Sequence, residues 1–366
     1  MSNEAAPSLE TLRAAESTAG EVAEIVMQPV APEETEPVSS PAEVLRVSVV
    51  MPTCGRPRLL RRCLGALTRQ SLPRDAYEIV VVDDGRSEAT QRMVAVFAER
   101  AGAPKFVYLH PPEGTRGPAA ARNAGWRAAQ APLIAFTDDD TVPAREWLER
   151  GIASLPDWAS AAAGRVRVPL PDTPSDWQRS SAGLDGAEFV TANCFVRRAA
   201  LSVVGGFDER FARPWREDSD LYFALLEKGY RVVAAPAAVV IHPVRVASWG
   251  TSMKVQRNMM FDALLYKKHR DLYRSKVAPH PPLRYYAAVA LLVCGAFFAA
   301  AGAWKTAGFA FACWLAWTLW FTATRLRGTR HDASHVIEML VTSTAIPVLA
   351  VFWRLRGALR YRVLFA

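Results

Sequence analysis

Three consecutive aspartates, Asp138, Asp139 and Asp140, follow an apolar run at residues 134–136 that has the pattern of a buried strand. Carboxylates crowded at a strand end repel one another, and a cation between them relieves that repulsion. Hard oxygen ligands suit Mg²⁺ or Mn²⁺, and Mg²⁺ usually completes its shell with phosphate oxygens of a substrate. The alternative is a solvated turn that caps the helical pattern that follows. The trio therefore predicts either a metal and phosphate site or a capped turn.

Polar residues also end two earlier predicted strands. Pro52 and Thr53 follow the apolar residues 47–51, and Asp83 and Asp84 follow residues 77–82. One of these two carboxylates could accept hydrogen bonds from a base imide or from ribose hydroxyls. Ligands on parallel sheets collect at the carboxyl ends of the strands, so we expect these groups to lie beside the aspartate trio.

A small-residue helix precedes the trio. It begins near Gly117, and its first turn presents free N–H groups, as every helix start does. Arg122 and Asn123 lie one turn further along, where the guanidinium could reach a base or a phosphate.

The elements that must position these groups alternate between strand and helix. We predict an α/β fold with a largely parallel sheet covered on both faces, followed by a mixed second half that includes a Pro-, Ser- and Asp-rich loop at 169–185. The predicted strands are 47–51, 77–82, 105–109, 132–137, 161–168, 189–197 and 230–241, and the predicted helices are 57–70, 88–101, 117–130 and 217–228.

Composition sets further bounds on the chain. Residues 1–44 contain nine Glu, one Arg and no aromatic residue, which predicts a disordered acidic tail without a signal peptide. The total net charge is nevertheless +8, so the remainder is strongly basic and suits phosphorylated molecules or an anionic membrane. No nucleic-acid motif is present, and no nucleic-acid partner is expected. The five cysteines form no CxxC pair, which favours free thiols in a reducing compartment.

The C-terminal third is basic and then apolar. We predict a catalytic domain at 45–245, a basic helical segment at 246–283 and a membrane region at 284–366. The basic segment is either a surface helix or a helix on the cytoplasmic leaflet. Residues 285–304 and 306–324 are each long enough to span a bilayer as a hairpin. The third apolar segment, 336–353, contains Pro347 and has basic residues on both sides, so it is re-entrant, interfacial or a third span.

The motifs taken in order resemble the inverting GT-A glycosyltransferases of family 2, over about residues 48–242. The resemblance rests on Val-Val-Met-Pro-Thr ending at Thr53, Val-Asp-Asp-Gly ending at Gly85, Gly-x-x-x-Ala-Arg-Asn-x-Gly from Gly117 to Gly125, the aspartate trio, and downstream residues 193–197, 205–209 and 217–218. It implies a GT-A, Rossmann-like nucleotide-diphospho-sugar transferase domain ahead of the transmembrane helices.

The resemblance also implies roles for individual residues. Asp138 and Asp140 would hold Mg²⁺ or Mn²⁺, with His242 as a weaker third ligand, although an isolated histidine is more often structural. The donor nucleotide, expected to be a UDP-sugar, would contact Pro52, Thr53, Asp83, Asp84, Arg122, Asn123 and Asp139. Asp218 would be the catalytic base, unless it only caps a helix and Glu217 takes that role. Asn193 and Trp215 would line the acceptor site, although core packing explains Trp215 equally well.

These observations predict a metal-dependent, membrane-bound enzyme that moves a sugar from a nucleoside-diphosphate sugar to a lipid-linked glycan or a polysaccharide. Nucleotide sugars are cytosolic, so the catalytic domain should face the cytosol from a multi-pass anchor in the cytoplasmic membrane. One alternative is a catalytically inactive scaffold or nucleotide sensor, which the intact carboxylates disfavour. The other is a processive polysaccharide synthase, disfavoured because no Gln-x-x-Arg-Trp motif follows Asp218 and the spans are few.

Overall fold

The computed structural model describes residues 45–365, so the predicted acidic tail at 1–44 lies outside the described residues. One mixed sheet of eight strands has the order β3-β2-β1-β4-β7-β6-β8-β5. Four parallel strands form its first half: β1 Val47–Thr53, β2 Tyr77–Asp83, β3 Lys105–Leu109 and β4 Leu133–Thr137. The predicted parallel α/β half is therefore confirmed.

The helices that connect these strands cover both faces of the sheet. They are α1 Pro57–Leu67, α2 Glu88–Ala98 and α3 Pro118–Ala128. Leu60 and Leu64 of α1 pack with Ile79 in the core on one face, and Ala121 of α3 packs with Val80 in the core on the other. Because both faces are buried, the strands read as continuous apolar runs in the sequence.

The second half of the sheet is mixed. Strand β7 pairs antiparallel with β4 and β6, β8 pairs parallel with β6, and the short β5 pairs antiparallel with β8. Its elements are β5 Val142–Pro143, α4 Trp147–Ala153, β6 Ala161–Arg167, α5 Asp176–Ser181, β7 Asn193–Arg197, α6 Arg198–Val204, α7 Glu217–Glu227 and β8 Val232–Ile241.

Two of the sequence-based boundaries were wrong in this half. The strand predicted from residue 189 begins only at Asn193, because residues 189–192 form an irregular approach to the sheet. The stretch predicted as a loop contains α5, which begins at a capping box in which the Ser175 hydroxyl accepts from the N–H of Gln178.

The basic segment forms three short helices: α8 Thr251–Lys254, α9 Met260–Lys268 and α10 Arg270–Lys276. Three longer helices follow: α11 Leu283–Ala300, α12 Trp304–Leu326 and α13 Ala333–Tyr361. All three are long and apolar enough to cross a membrane. Helix α13 continues well beyond residue 353, where the predicted apolar segment ended.

Helix α13 lies along the basic segment. Near its start, Glu338 Oε1 accepts from the backbone N–H of Gly250 at 2.8 Å. Near its end, the carbonyl of Tyr361 accepts from Lys267 Nζ at 2.8 Å, and Gly357 packs against the backbone of Met260. Both ends of the helix are thus attached to the polypeptide that follows the sheet.

A buried arginine joins α12 and α13 to the half of the chain that contains the sheet. Arg325, at the end of α12, pairs with Asp176 of α5 at 2.7 Å. Its guanidinium also donates to Thr342 and Ser343 of α13 and to Ser252 of α8. Four helices therefore meet at one side chain.

Candidate active site

The parallel strands bring the predicted donor residues to one edge. Thr53 at the end of β1 is in register with Asp83 at the end of β2, and β4 lies on the other side of β1. The Thr53 hydroxyl donates to Asp139 Oδ2 at 2.7 Å, and Pro52 is partly buried beside it. The sequence prediction that these strand ends converge is thus met by the geometry.

The three aspartates occupy different environments. Asp138 is partly exposed, whereas Asp139 and Asp140 are almost fully buried. Burial raises the pKa of Asp139 to about 6, although Arg56 lies 2.9 Å from its Oδ1 and opposes that change. Asp139 therefore points into the protein, between Thr53 and Arg56.

Asp138, Asp140 and His242 form a group that could hold a metal ion. One potential ligand atom from each lies within 4.8 Å of the others. Asp140 Oδ2 is buried and accepts no well-aligned hydrogen bond; its neighbours are the guanidinium groups described below. Two carboxylates and an imidazole suit Mn²⁺, and the oxygen ligands also suit Mg²⁺. The residues present fit the divalent cation that the sequence predicted.

Arginines supply positive charge to this group. Arg245 Nε lies 2.8 Å from Asp140 Oδ2, and Arg56 Nη1 lies 3.7 Å from the same atom. Arg245 is half-exposed and belongs to the irregular segment after β8. The sequence did not indicate either arginine, because both contacts depend on loops that fold back over the strand ends.

A second set of charges connects the aspartate trio to α7. Arg122 is almost completely buried, and its guanidinium contacts Asp138 Oδ1 at 2.7 Å and Glu217 Oε1 at 3.1 Å. The two carboxylates hold the pKa of Arg122 above its ordinary value against the effect of burial. Arg122 thus links the metal group to the start of α7, where the predicted base lies.

The two candidate bases differ in their partners. Glu217 is buried and engaged by Arg122, and burial raises its pKa to about 7. Asp218 is only partly buried; its Oδ1 accepts from the N–H of Ser219, and its Oδ2 has no hydrogen-bond partner among the described residues. Burial raises the pKa of Asp218 as well, with the Ser219 N–H opposing that rise. Asp218 therefore has the oxygen that is available to a substrate.

Asp83 and Asp84 also differ. Asp83 is buried and accepts from the N–H groups of Gly85 and Ser87 and from the Tyr108 hydroxyl, so it shapes the turn after β2. Asp84 Oδ2 accepts from the N–H of Gly117, while its Oδ1 is buried and unpartnered. Of the pair, Asp84 retains an oxygen that a nucleotide could use.

Gly117 has a specific steric role at this point. Its φ of +95° disfavours other residues, and a Cβ there would lie 2.7 Å from the carbonyl oxygen of Ala212. The close approach brings the start of α3 against the loop before α7.

Three predicted site residues are engaged inside the protein. The Asn123 amide donates to the Phe207 carbonyl and to Glu209, and its oxygen accepts from Trp126. Asn193 is fully buried and bonds to Trp147, Arg165 and Ala238, so the structure does not bring it to an open surface. Trp215 donates to Asp262 of α9, which ties it to the basic segment. In this structure these side chains organise the surroundings of the site.

Two family models match this chain. The family model described as Glycosyl transferase family 2 matches residues 48–211, and the one described as Glycosyl transferase family group 2 matches residues 172–355. Together they include every candidate residue described above.

Curated relatives match over 54% of this chain. Glycosyltransferase AglE of Haloferax volcanii is 26% identical over 211 residues, which span 67% of its length. The pre-mycofactocin glycosyltransferase of Mycobacterium tuberculosis is 32% identical over 215 residues, and the match spans 43% of its length. The match thus covers only part of each relative, and it does not extend to the rest of either protein.

A solved structure supports the fold. The mannosyltransferase PcManGT from Pyrobaculum calidifontis, in complex with GDP-Man and Mn²⁺, aligns with a TM-score of 0.55 at 20% identity. The alignment covers 87% of this chain and 91% of that one. The predicted GT-A fold with C-terminal apolar helices is therefore confirmed.

Proposed function

The chain belongs to glycosyl transferase family 2, and from this premise we propose that it transfers a sugar, with inversion, from a nucleoside-diphosphate sugar to a membrane-associated acceptor. A UDP-sugar remains the expected donor, and a lipid-linked glycan or a growing polysaccharide the expected acceptor. The observation that carries the proposal is the buried Arg122, which connects Asp138 of the metal group to Glu217, the neighbour of Asp218 in the chain.

The residues divide the work of an inverting displacement. The acceptor hydroxyl oxygen would form a bond to the anomeric carbon while the bond from that carbon to the diphosphate oxygen breaks. Asp218, with its free Oδ2, would take the hydroxyl proton. A divalent cation held by Asp138, Asp140 and His242 would offset the charge that develops on the departing diphosphate.

Arg122 and Glu217 would act as positioning residues. The guanidinium fixes the orientation of Asp138 on one side and of Glu217 on the other. Because Glu217 is occupied by this contact, it is the poorer candidate for the base. Asp84 would serve the nucleotide through its unpartnered Oδ1, and Asp139 would act indirectly by holding Thr53 and Arg56 in place.

The arrangement of α13 bears on how the enzyme sits in the membrane. Both ends of this helix contact the segment that follows the catalytic sheet, at Gly250 and at Lys267. A helix that crosses the bilayer would carry one of its ends to the far side. We therefore assign α13 to the cytosolic interface, with α11 and α12 as the hairpin that spans the membrane.

The two alternatives make different demands on the structure. An inactive scaffold or nucleotide sensor does not need a free carboxylate oxygen beside the metal group, and Asp218 offers one. A processive synthase needs enough spans to form a channel, whereas residues 45–365 supply three helices that are long and apolar enough. Both observations favour the transferase.

The test is a reaction screen with the full chain in detergent. Nucleotide sugars would be supplied with Mn²⁺, Mg²⁺ or EDTA, and release of nucleoside diphosphate would be measured with and without added membrane lipid extract. We expect release that requires a divalent cation and increases with extract. Nucleotide binding without any turnover across the panel would instead support the sensor.

A further inference from the structure

A polar cavity of about 250 Å³ lies where the catalytic half meets the apolar helices. Its walls come from the start of α5, from the segment 245–252 and from the first turns of α13. Arg245 lines the cavity and also contacts Asp140 at 2.8 Å. The cavity is therefore adjacent to the proposed metal group and close to the membrane helices.

One buried side chain in the wall lacks a partner. His335 of α13 is 1% exposed, and neither ring nitrogen makes a hydrogen bond. The nearest carboxylate, Glu338 Oε2, lies 3.8 Å from Nδ1, which is beyond hydrogen-bond distance. A buried imidazole without a partner is costly unless a ligand or water completes it.

The arginines that line the cavity, and Asp176, are already paired with opposite charges. Arg245 is paired with Asp140 and Arg330 with Asp332, at 2.8 and 3.1 Å. Asp176 is paired with the buried Arg325. Such a wall offers an anionic phosphate no uncommitted cation among these residues.

The remaining groups are typical of contacts to hydroxyls. The hydroxyls of Ser248 and Ser252 can each donate and accept a hydrogen bond, and the carboxylate of Glu338 can accept one. The neutral imidazole of His335 donates from one ring nitrogen and accepts at the other. Trp177 adds an aromatic ring to the same wall. A sugar ring has hydroxyls that both donate and accept, together with an apolar face that packs against an aromatic ring.

We propose that this cavity binds a neutral sugar unit of the membrane-borne acceptor. This inference rests on the proposed function, because it names the chemical class of the acceptor that the transferase would use. Its position would place the acceptor sugar between the membrane surface and Asp140, with Arg245 as the side chain common to both sites.

The experiment uses the full chain in lipid nanodiscs and saturation-transfer NMR. The probes are the methyl glycosides of glucose, galactose and mannose, with glycerol phosphate as the anionic rival. The variants are His335→Leu and Trp177→Ala, with His335→Gln as the conservative replacement. His280→Leu is the matched control, because His280 is exposed and lies outside the cavity. Thermal shift with UDP and Mn²⁺ reports folding and the donor site in every variant.

We expect at least one glycoside to bind the wild type. His335→Leu and Trp177→Ala should each weaken that binding about tenfold, the effect of losing a buried hydrogen bond or packing surface. His335→Gln should retain most of it, and His280→Leu all of it. Nucleotide binding should stay unchanged throughout.

Three results would overturn the inference: binding of glycerol phosphate in place of every glycoside, binding of no probe at all, or glycoside binding that survives both cavity variants. If the wild type shows no thermal shift with UDP and Mn²⁺, that result would instead contradict the proposed function. The two failures are therefore distinguishable.

Discussion

At the scale of the residue, the site depends on how one buried guanidinium is shared. Arg122 is enclosed by Asp138 and Glu217, and removing either acid would cost the buried guanidinium one of its two ion pairs. This arrangement fixes which carboxylate is free. Glu217 is held by Arg122, and Oδ2 of Asp218 beside it has no hydrogen-bond partner among the described residues.

Replacement of the base should separate chemistry from binding. In Asp218→Asn the shape is kept and the proton acceptor is lost, so we expect kcat to fall by about two to four orders of magnitude. The Kd for nucleotide, measured by titration with Mn²⁺, should barely change. Glu217→Gln is the comparison, and a larger loss of kcat there than in Asp218→Asn would reverse the two roles.

The pH dependence follows from the same residue. Burial raises the pKa of Asp218, and only its deprotonated form can accept a proton. As the pH is lowered through this raised pKa, kcat/KM should fall, while an ordinary aspartate would still be ionised. A pH–rate profile of kcat/KM measures this acid limb. A midpoint below 3.8, the ordinary value, would contradict the assignment.

The metal group can be tested without turnover. Asp138→Ala and Asp140→Ala should each abolish the increase in nucleotide affinity that Mn²⁺ produces, because each removes one of the predicted oxygen ligands. Asp271→Ala is the control, since Asp271 is exposed on α10 and distant in sequence from the site. Unchanged Mn²⁺ dependence in both site variants would place the cation elsewhere.

At the scale of the element, the docking of α13 depends on a residue without a side chain. A Cβ on Gly357 would lie 2.5 Å from the carbonyl oxygen of Met260, and backbone cannot move aside as a flexible side chain can. Gly308 in α12 has nothing within 4 Å of the same position. Gly308 therefore serves as the control position for substitutions at Gly357.

We expect Gly357→Ala to destabilise the protein by about 1–3 kcal/mol, the usual cost of overpacking. Gly308→Ala should leave the thermal midpoint in detergent unchanged. Differential scanning fluorimetry of both variants measures the difference. Equal midpoints would show that α13 does not pack closely on α9.

The element scale also shows where sequence reasoning succeeds. The strands before Thr53, Asp83 and Asp138 were predicted because burial on both faces leaves continuous apolar runs, and their convergence follows from parallel pairing. The capping box at Ser175 has the pattern Ser-x-x-Gln, but the helix that it starts has only 6 residues, too few to show a helical apolar period in a Pro-, Ser- and Asp-rich stretch.

Other features depend on tertiary contacts that no local pattern encodes. Arg56 and Arg245 reach the aspartates only because two loops fold over the strand ends. Asn123 and Asn193 stand in the expected motifs, yet their amides bond inside the protein, and sequence does not tell which way a side chain points. His335 had no signal at all, since its isolation is a property of the assembled cavity.

At the scale of the whole molecule, topology is the property to test. The exposed positions Ala89, Thr306, Ala333 and Leu359 sample the catalytic half, the hairpin turn and the two ends of α13. Single cysteines would be introduced there after Cys54, Cys294 and Cys313 are replaced by serine. Intact cells would then be labelled with an impermeant maleimide.

We expect labelling at position 306 alone, because the proposed hairpin exports only its turn, whose single charge at Lys305 is little obstacle to translocation. Labelling at exactly one of positions 333 and 359 would make α13 a third span. Labelling at position 89 would contradict a cytosolic catalytic domain.

The ion pair between Arg325 and Asp176 joins two residues that are synthesised at different times. Asp176 leaves the ribosome about 150 residues before its partner, as the separation of the two residues in the chain requires. Until the hairpin has been synthesised and inserted, α5 lacks the counter-charge that holds it in place. The sheet can therefore fold before the wall formed by α5, α8 and α13 is complete. We expect a newly made chain that fails to insert into the membrane to lack a complete wall around the proposed acceptor cavity. Such a chain would not consume the cell's nucleotide sugars unproductively.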